Sequence, residues 1–197
     1  MALNISIWVI TYLMGSIPFG ILFARAQNIN LQEHGSRNIG ATNVGRILGK
    51  KAGIFTLIGD TFKGWLAILL AYLFLTDPYD IAVAGFTAFL GHLFSVFIKF
   101  KGGKGVAIGL GIHLYIMPIP TLMAIGVFAL TLWVFNYVSL SSICSSIALP
   151  IFGILTNVPV PFICMSLGIA TMVVFRHHEN ILRILMGTES RFQKNRN

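Results

Sequence analysis

The feature that most narrows the fold is a succession of apolar runs, about 4–24, 52–75, 81–98, 106–117, 121–138, 143–156 and 161–175, almost free of charge. Several are long enough to cross a bilayer, for which roughly 20 apolar residues are needed. Hydrophobic residues make up 56% of the 197 and charged ones 10%, against roughly 45–50% and about 25% in soluble domains. A buried core cannot absorb that excess. The chain is therefore expected to be an all-α polytopic membrane protein of about seven transmembrane helices, in one domain spanning 1–197. Two runs, Val106–Met117 and Ile143–Thr156, have only about 12 and 14 residues and are expected to be half-length helices around an in-membrane cavity. The opening MALNISIWVI has no basic residue before its apolar run, so it is kept as a first helix and not as a cleaved signal.

The connections fall into two kinds. Those near 76–80, 117–120 and 157–161 are tight and proline-bearing, and carry no Lys or Arg. Those near 25–51, 99–105, 139–142 and 176–197 hold thirteen of the fourteen Lys and Arg, the exception being Lys63. Basic excess marks the cytoplasmic side, which puts the N-terminus outside and the C-terminus in the cytoplasm. The same one-sidedness accounts for the net charge of +8 without a nucleic-acid partner. Cys144 and Cys164 lie in different runs near opposite faces and are read as packing residues.

Three polar stretches share the basic side. In GSRNIGATNVGRILGKK, residues 35–51, Ser36, Asn38, Thr42 and Asn43 offer hydrogen bonds, Arg37 and Arg46 offer planar forks, and Gly35, Gly40 and Gly45 allow close approach. Such forks suit phosphate oxygens; the plainer alternative is a basic loop held by anionic headgroups. In FKGGKG, residues 100–105, Gly102, Gly103 and Gly105 would let backbone N–H groups converge, with Lys104 adding charge. A helix starting at Val106 would aim its N-terminus there, although the loop could equally be a connector. It lacks the spacing of a Walker loop. In RHHENILRILMGTES, residues 176–190, a helix would put His177, Asn180 and Ile184 on one face with Arg183 beside them. His178 is read as surface. Asp60 and Lys63, one turn apart, either neutralise each other or leave Lys63 aimed at the cytosolic side. Ser139, Ser141 and Ser142 could cap a helix start.

These stretches bring cations together with little acid, so no metal and no cofactor are expected. The Asp-rich pattern of CDP-alcohol phosphotransferases is absent. The His-x-x-x-x-Asp of soluble-loop glycerolipid acyltransferases is absent too, since His34, His92, His113, His177 and His178 are followed five residues on by Ile39, Phe97, Pro118, Leu182 and Arg183. No Gly-x-Ser-x-Gly elbow occurs.

GSRNIGATN with Arg46 and LGKKAG, GHLFSVFIKFKGGKGVA, and RHHENILRILMGTE together resemble the bacterial PlsY family, over most of the chain from GSIPFG to Glu189. Ser95 stands where that family usually has Pro, and Ile108 where Thr is common. The resemblance implies a multi-pass acyltransferase of the bacterial cytoplasmic (inner) membrane with its site facing the cytosol. It implies transfer of a fatty acyl group from acyl phosphate to glycerol-3-phosphate, giving lysophosphatidic acid and phosphate in the first step of phospholipid synthesis. No acyl-CoA is implied, and the protein is expected to act as a monomer. On this resemblance Arg46, Lys104, His177 and Asn180 hold glycerol-3-phosphate, with Ser142 a helper. Ser36, Arg37, Thr42, Asn43 and the backbone of Gly102 and Gly103 hold acyl phosphate; Asn38, Gly40, Gly105, Lys63 and Arg183 complete the binding set. The attack is direct, and either His177 or a substrate phosphate takes the proton. The alternative class is a small transporter of phosphorylated metabolites, which would need a polar path to both faces.

Overall fold

The computed structural model describes residues 1–192; Lys194 and Arg196, counted in the charge pattern, lie outside them. Among the described residues there are ten α-helices and no strand. The chain divides into two compact units, Met1–Ile116 and Met117 onward.

In the first unit the leading apolar run is broken. Helix α1, Ala2–Ser16, stops before Pro18, and α2, Phe19–Arg25, resumes after it, because proline has no N–H to continue the ladder. The two halves together form a 24-residue apolar span. A short 3-10 turn, Leu31–Glu33, leads to α3, Ala41–Leu48, an amphipathic helix that buries Val44. Helix α4, Lys50–Phe74, is the longest. Helix α5, Pro78–Leu93, starts with Pro at its first position, and the Asp77 carboxylate accepts from Tyr79 N at 2.8 Å, the preferred arrangement for an N-terminus. Helix α6 is Val106–Ile116. Packing pairs α1 with α5, α4 with α6 and α3 with α4. The α4–α6 contact is close enough that a Cβ on Gly111 would collide with the Thr61 carbonyl, and one on Gly64 with that of Ile108.

In the second unit α7, Pro118–Phe135, α8, Val138–Leu155, and α9, Val160–Arg176, are antiparallel neighbours, with α8 against both others. The last helix, α10 (His178–Leu185), leaves α9 at a bend of 53°. By length and composition five spans can cross a membrane, or six if the α9–α10 pair is one. Outward-facing Leu73, Phe74, Leu130 and Trp133 give the apolar outer surface that lipid requires.

At 11 residues α6 is as short as expected. The other half-helix expectation is corrected: α8 has 18 residues. The polar SLSS stretch is part of it, not a loop or a cap. Ser141 Oγ donates to Tyr137 O at 2.9 Å and Ser142 Oγ to Val138 O at 2.8 Å, so the hydroxyls bond back within the helix.

Candidate active site

In the GSRNIGATN loop the organiser is Asn43, buried on the first turn of α3. Its Oδ1 accepts from Ser36 N at 2.9 Å, and its Nδ2 donates to Asn38 O at 2.8 Å and His34 O at 3.2 Å. Asn38 folds its own side chain onto Gly40 N at 2.8 Å. The Asn43 amide and the Asn38 Oδ1 thus shape the loop from within. The turn they hold carries Arg37 in the left-handed region, φ 57°. Ser36, Arg37, Thr42 and Arg46 are exposed.

The FKGGKG loop sits on the same core. Ile98, just before it, packs with Ile21, Ala24, Leu31, Ile39 and Val44 beneath the first loop, and Gln32 Nε2 donates to Lys101 O at 3.2 Å. The first and second polar stretches are therefore brought together within one unit. The convergent backbone donors are not formed as expected. Gly102 N donates to Leu93 O and Gly103 N to His92 O, both at 3.1 Å, so these amides point into the end of α5. The glycines are required for close approach: a Cβ on Gly102 would meet the His92 carbonyl, and one on Gly103 the His92 ring at Nε2. Lys99 and Phe100 precede them with φ of 54° and 61°, a backbone costly for side chains with a Cβ. Phe100 N donates to Ser95 O at 2.8 Å and Ser95 Oγ to Ser16 O at 2.6 Å. Gly105, φ 85°, packs on the Phe89 ring, and half-buried Lys104 lies between it and Gly103.

Beneath this loop lies an ionic cluster that sequence spacing shows only in part. Lys63 Nζ is 2.7 Å from Asp60 Oδ1, as one helical turn allows. It also reaches Ile17 O at 2.6 Å and His92 Nδ1 at 3.0 Å. Lys63 is 3% exposed. Its three donors face three acceptors inside the protein, so the expectation that it contacts substrate is replaced by an internal role.

In the second unit His177 and Asn180, both buried, flank the α9–α10 bend. His177 Nδ1 lies 2.7 Å from Val173 O. A carbonyl only accepts, so Nδ1 carries the hydrogen. Asn180 Nδ2 donates to Glu189 Oε1 at 2.7 Å, Ser139 Oγ to the same oxygen at 2.7 Å, and Arg183 Nε to Glu189 Oε2 at 2.8 Å. Burial alone would raise the Glu189 carboxyl, but the hydrogen bonds from Arg183, Asn180 and Ser139 outweigh it and hold it below its usual range. Arg183 is turned towards Glu189 and Glu179. Ser142 is one turn along from Ser139 on α8. Glu189 received no role from the sequence, nor did His92 or Ser95. The signals were a carboxylate closing a basic helix and a histidine ending an apolar one.

A chain of helices this long and apolar is built as an integral-membrane protein. The description "Glycerol-3-phosphate acyltransferase" belongs to the family model that matches residues 5–187. A protein of that name from Geotalea daltonii is 46% identical, covering 93% of this chain and 94% of its own. One from Fusobacterium nucleatum is 41% identical, over 94% and 96%. Two crystal structures of PlsY (YgiH), an integral membrane glycerol 3-phosphate acyltransferase, are 38% identical to this chain. The glycerol 3-phosphate form has a TM-score of 0.93 over 96% of each chain, and the lysophosphatidic acid form 0.89 over 96% and 95%. The chain belongs to the glycerol-3-phosphate acyltransferase family. It is a membrane acyltransferase, which sets the transporter alternative aside.

Proposed function

We propose that this enzyme moves a fatty acyl group from acyl phosphate to glycerol-3-phosphate at the cytosolic side of a bacterial inner membrane, with its N-terminus outside. The glycerol hydroxyl oxygen attacks the acyl carbon, the carbon–oxygen bond to phosphate breaks, and lysophosphatidic acid and phosphate leave. The donor is a mixed anhydride and already activated, so no acyl-enzyme is needed. The observation that carries this reading is a set of cations and hydroxyls gathered on two adjoining loops. Ser36, Arg37, Thr42 and Arg46 are exposed on one loop and Lys104 stands on the next, above a shared core. The carboxylate of the tail, Glu189, is already held by Ser139, Asn180 and Arg183.

In this reading Arg46, Lys104, His177 and Asn180 serve glycerol-3-phosphate, with Ser142 assisting, and Ser36, Arg37 and Thr42 serve the acyl phosphate. Lys104 links the two and stabilises the charge that develops on the leaving phosphate. Holding both reactants in line supplies most of the remaining acceleration. A histidine between phosphate dianions is kept protonated by their charge, so the hydroxyl proton goes to a substrate phosphate oxygen, whose second pKa is about 6.

The test is turnover of purified Lys104→Ala and His177→Ala with acyl phosphate and, separately, acyl-CoA. Lys104→Ala is expected to lose at least about 100-fold, and acyl-CoA to give no product. Near-full turnover in both variants would show the site to be elsewhere; acyl-CoA turnover would show the donor to be wrong.

A further inference from the structure

We propose that Lys63 is a positioning residue for this reaction, coupling the broken end of α1 to the FKGGKG loop through His92. The proposal rests on the reading that this loop presents Lys104 to substrate phosphate.

The GSIPFG stretch is where it begins. Because α1 stops before Pro18, its last carbonyls are taken by side chains from elsewhere in the unit: Ser16 O by Ser95 Oγ and Ile17 O by Lys63 Nζ, each at 2.6 Å. Both donors lead directly to the loop. The Ser95 carbonyl receives Phe100 N at 2.8 Å. Lys63 Nζ donates to the His92 ring at Nδ1, 3.0 Å away, and the His92 carbonyl accepts from Gly103 N at 3.1 Å. The residue after Gly103 is Lys104.

The chemistry of the cluster fixes the ring. An ammonium has three hydrogens and no acceptor, and the three partners of Lys63 are a carboxylate, a carbonyl and an imidazole nitrogen. Nδ1 therefore accepts, and the His92 hydrogen is on Nε2, the nitrogen against which a methyl on Gly103 would collide. Asp60, 2.7 Å from Nζ, balances the charge. Packing alone does not call for such a group, since a buried ion pair is often replaced by apolar residues at no loss of stability. What the cluster adds is direction: one ammonium sets the angle of an imidazole plane, and that plane forms the floor under Gly103.

The experiment uses Asp60→Asn/Lys63→Met, which removes both charges and leaves neither ion unpaired. Cooperative unfolding in detergent is expected to persist. Turnover with acyl phosphate and glycerol-3-phosphate is expected to fall between about 10- and 100-fold, as for a small misplacement of a catalytic group, with the glycerol-3-phosphate KM within about twofold. Wild-type kcat would overturn the proposal, and so would a fall in kcat matched by loss of cooperative unfolding. A second pair guards against a double variant that fails to fold. The His92→Asn amide can still accept from Lys63, so its kcat should exceed that of His92→Ala by at least about threefold at equal Tm; equal kcat values would overturn the proposal. Lys104→Ala in parallel separates the two readings. Full turnover there sinks the site itself. An inactive Lys104→Ala beside a fully active Asp60→Asn/Lys63→Met sinks only the positioning role.

Discussion

Asn43 in the first unit and Glu189 in the second each hold one motif together by three hydrogen bonds, 2.8–3.2 Å around the amide and 2.7–2.8 Å around the carboxylate, yet they organise different things. Asn43 ties backbone to backbone: it closes a turn whose N–H and C=O groups both need partners, which only an amide supplies. Glu189 ties side chains, gathering a hydroxyl, an amide and a guanidinium onto two oxygens. A neutral hub shapes a loop and leaves its cations facing outward; a charged hub neutralises one cation and orients its neighbours. The first is indifferent to pH and the second is not.

The sharpest way to break this comparison is Asn43→Leu. It keeps the volume and strands Ser36 N–H, His34 C=O and Asn38 C=O, at about 1–3 kcal/mol for a buried unsatisfied group. A clear fall in Tm together with at least about a tenfold loss of turnover is expected; an unchanged Tm would mean that the loop holds itself.

Glu189→Gln should do less. The amide oxygen still accepts from Asn180 and Ser139, while the charge-assisted bond from Arg183, worth about 1.5–3 kcal/mol, is lost because the amide NH2 then faces another donor. The glycerol-3-phosphate KM is expected to rise by about three- to tenfold with unfolding still cooperative. A variant that kept the wild-type KM would detach this hub from the site.

The smallest effect is the pH dependence. The Glu189 carboxyl is held below its ordinary value of 4.5. Its stabilisation is therefore complete above that value and lost as pH falls through the lowered one. Between about pH 6 and about pH 3 the wild-type Tm should fall more steeply than that of Glu189→Gln. Parallel curves would show that other carboxylates dominate the acid response.

Much of the architecture was legible because a bilayer imposes length: the apolar runs, the short α6 and the tight turns follow from counting. The start of α8 was not, since SLSS has the composition of a loop, yet it is helical, with Ser141 and Ser142 returning their hydroxyls to carbonyls four residues back. The motif residues were legible as chemistry, but their division of labour was not. Asn43 and Arg46 read alike as ligands until the structure puts the first on backbone groups and leaves the second exposed. Lys63 shows the reason most clearly. Its partner one turn away is visible in spacing, but Ile17 and His92 lie 46 and 29 residues away, and no local pattern carries that.

The two inward-turned glycines have a consequence for motion. A Gly-Gly pair in a connecting loop would ordinarily be among the first places to open, exchanging its amide hydrogens with water almost at once. Here Gly102 and Gly103 donate to the last two carbonyls of α5, so their amides open only when the end of that helix does. In hydrogen exchange the loop should be recorded as the final turn of α5, slow where its sequence says fast.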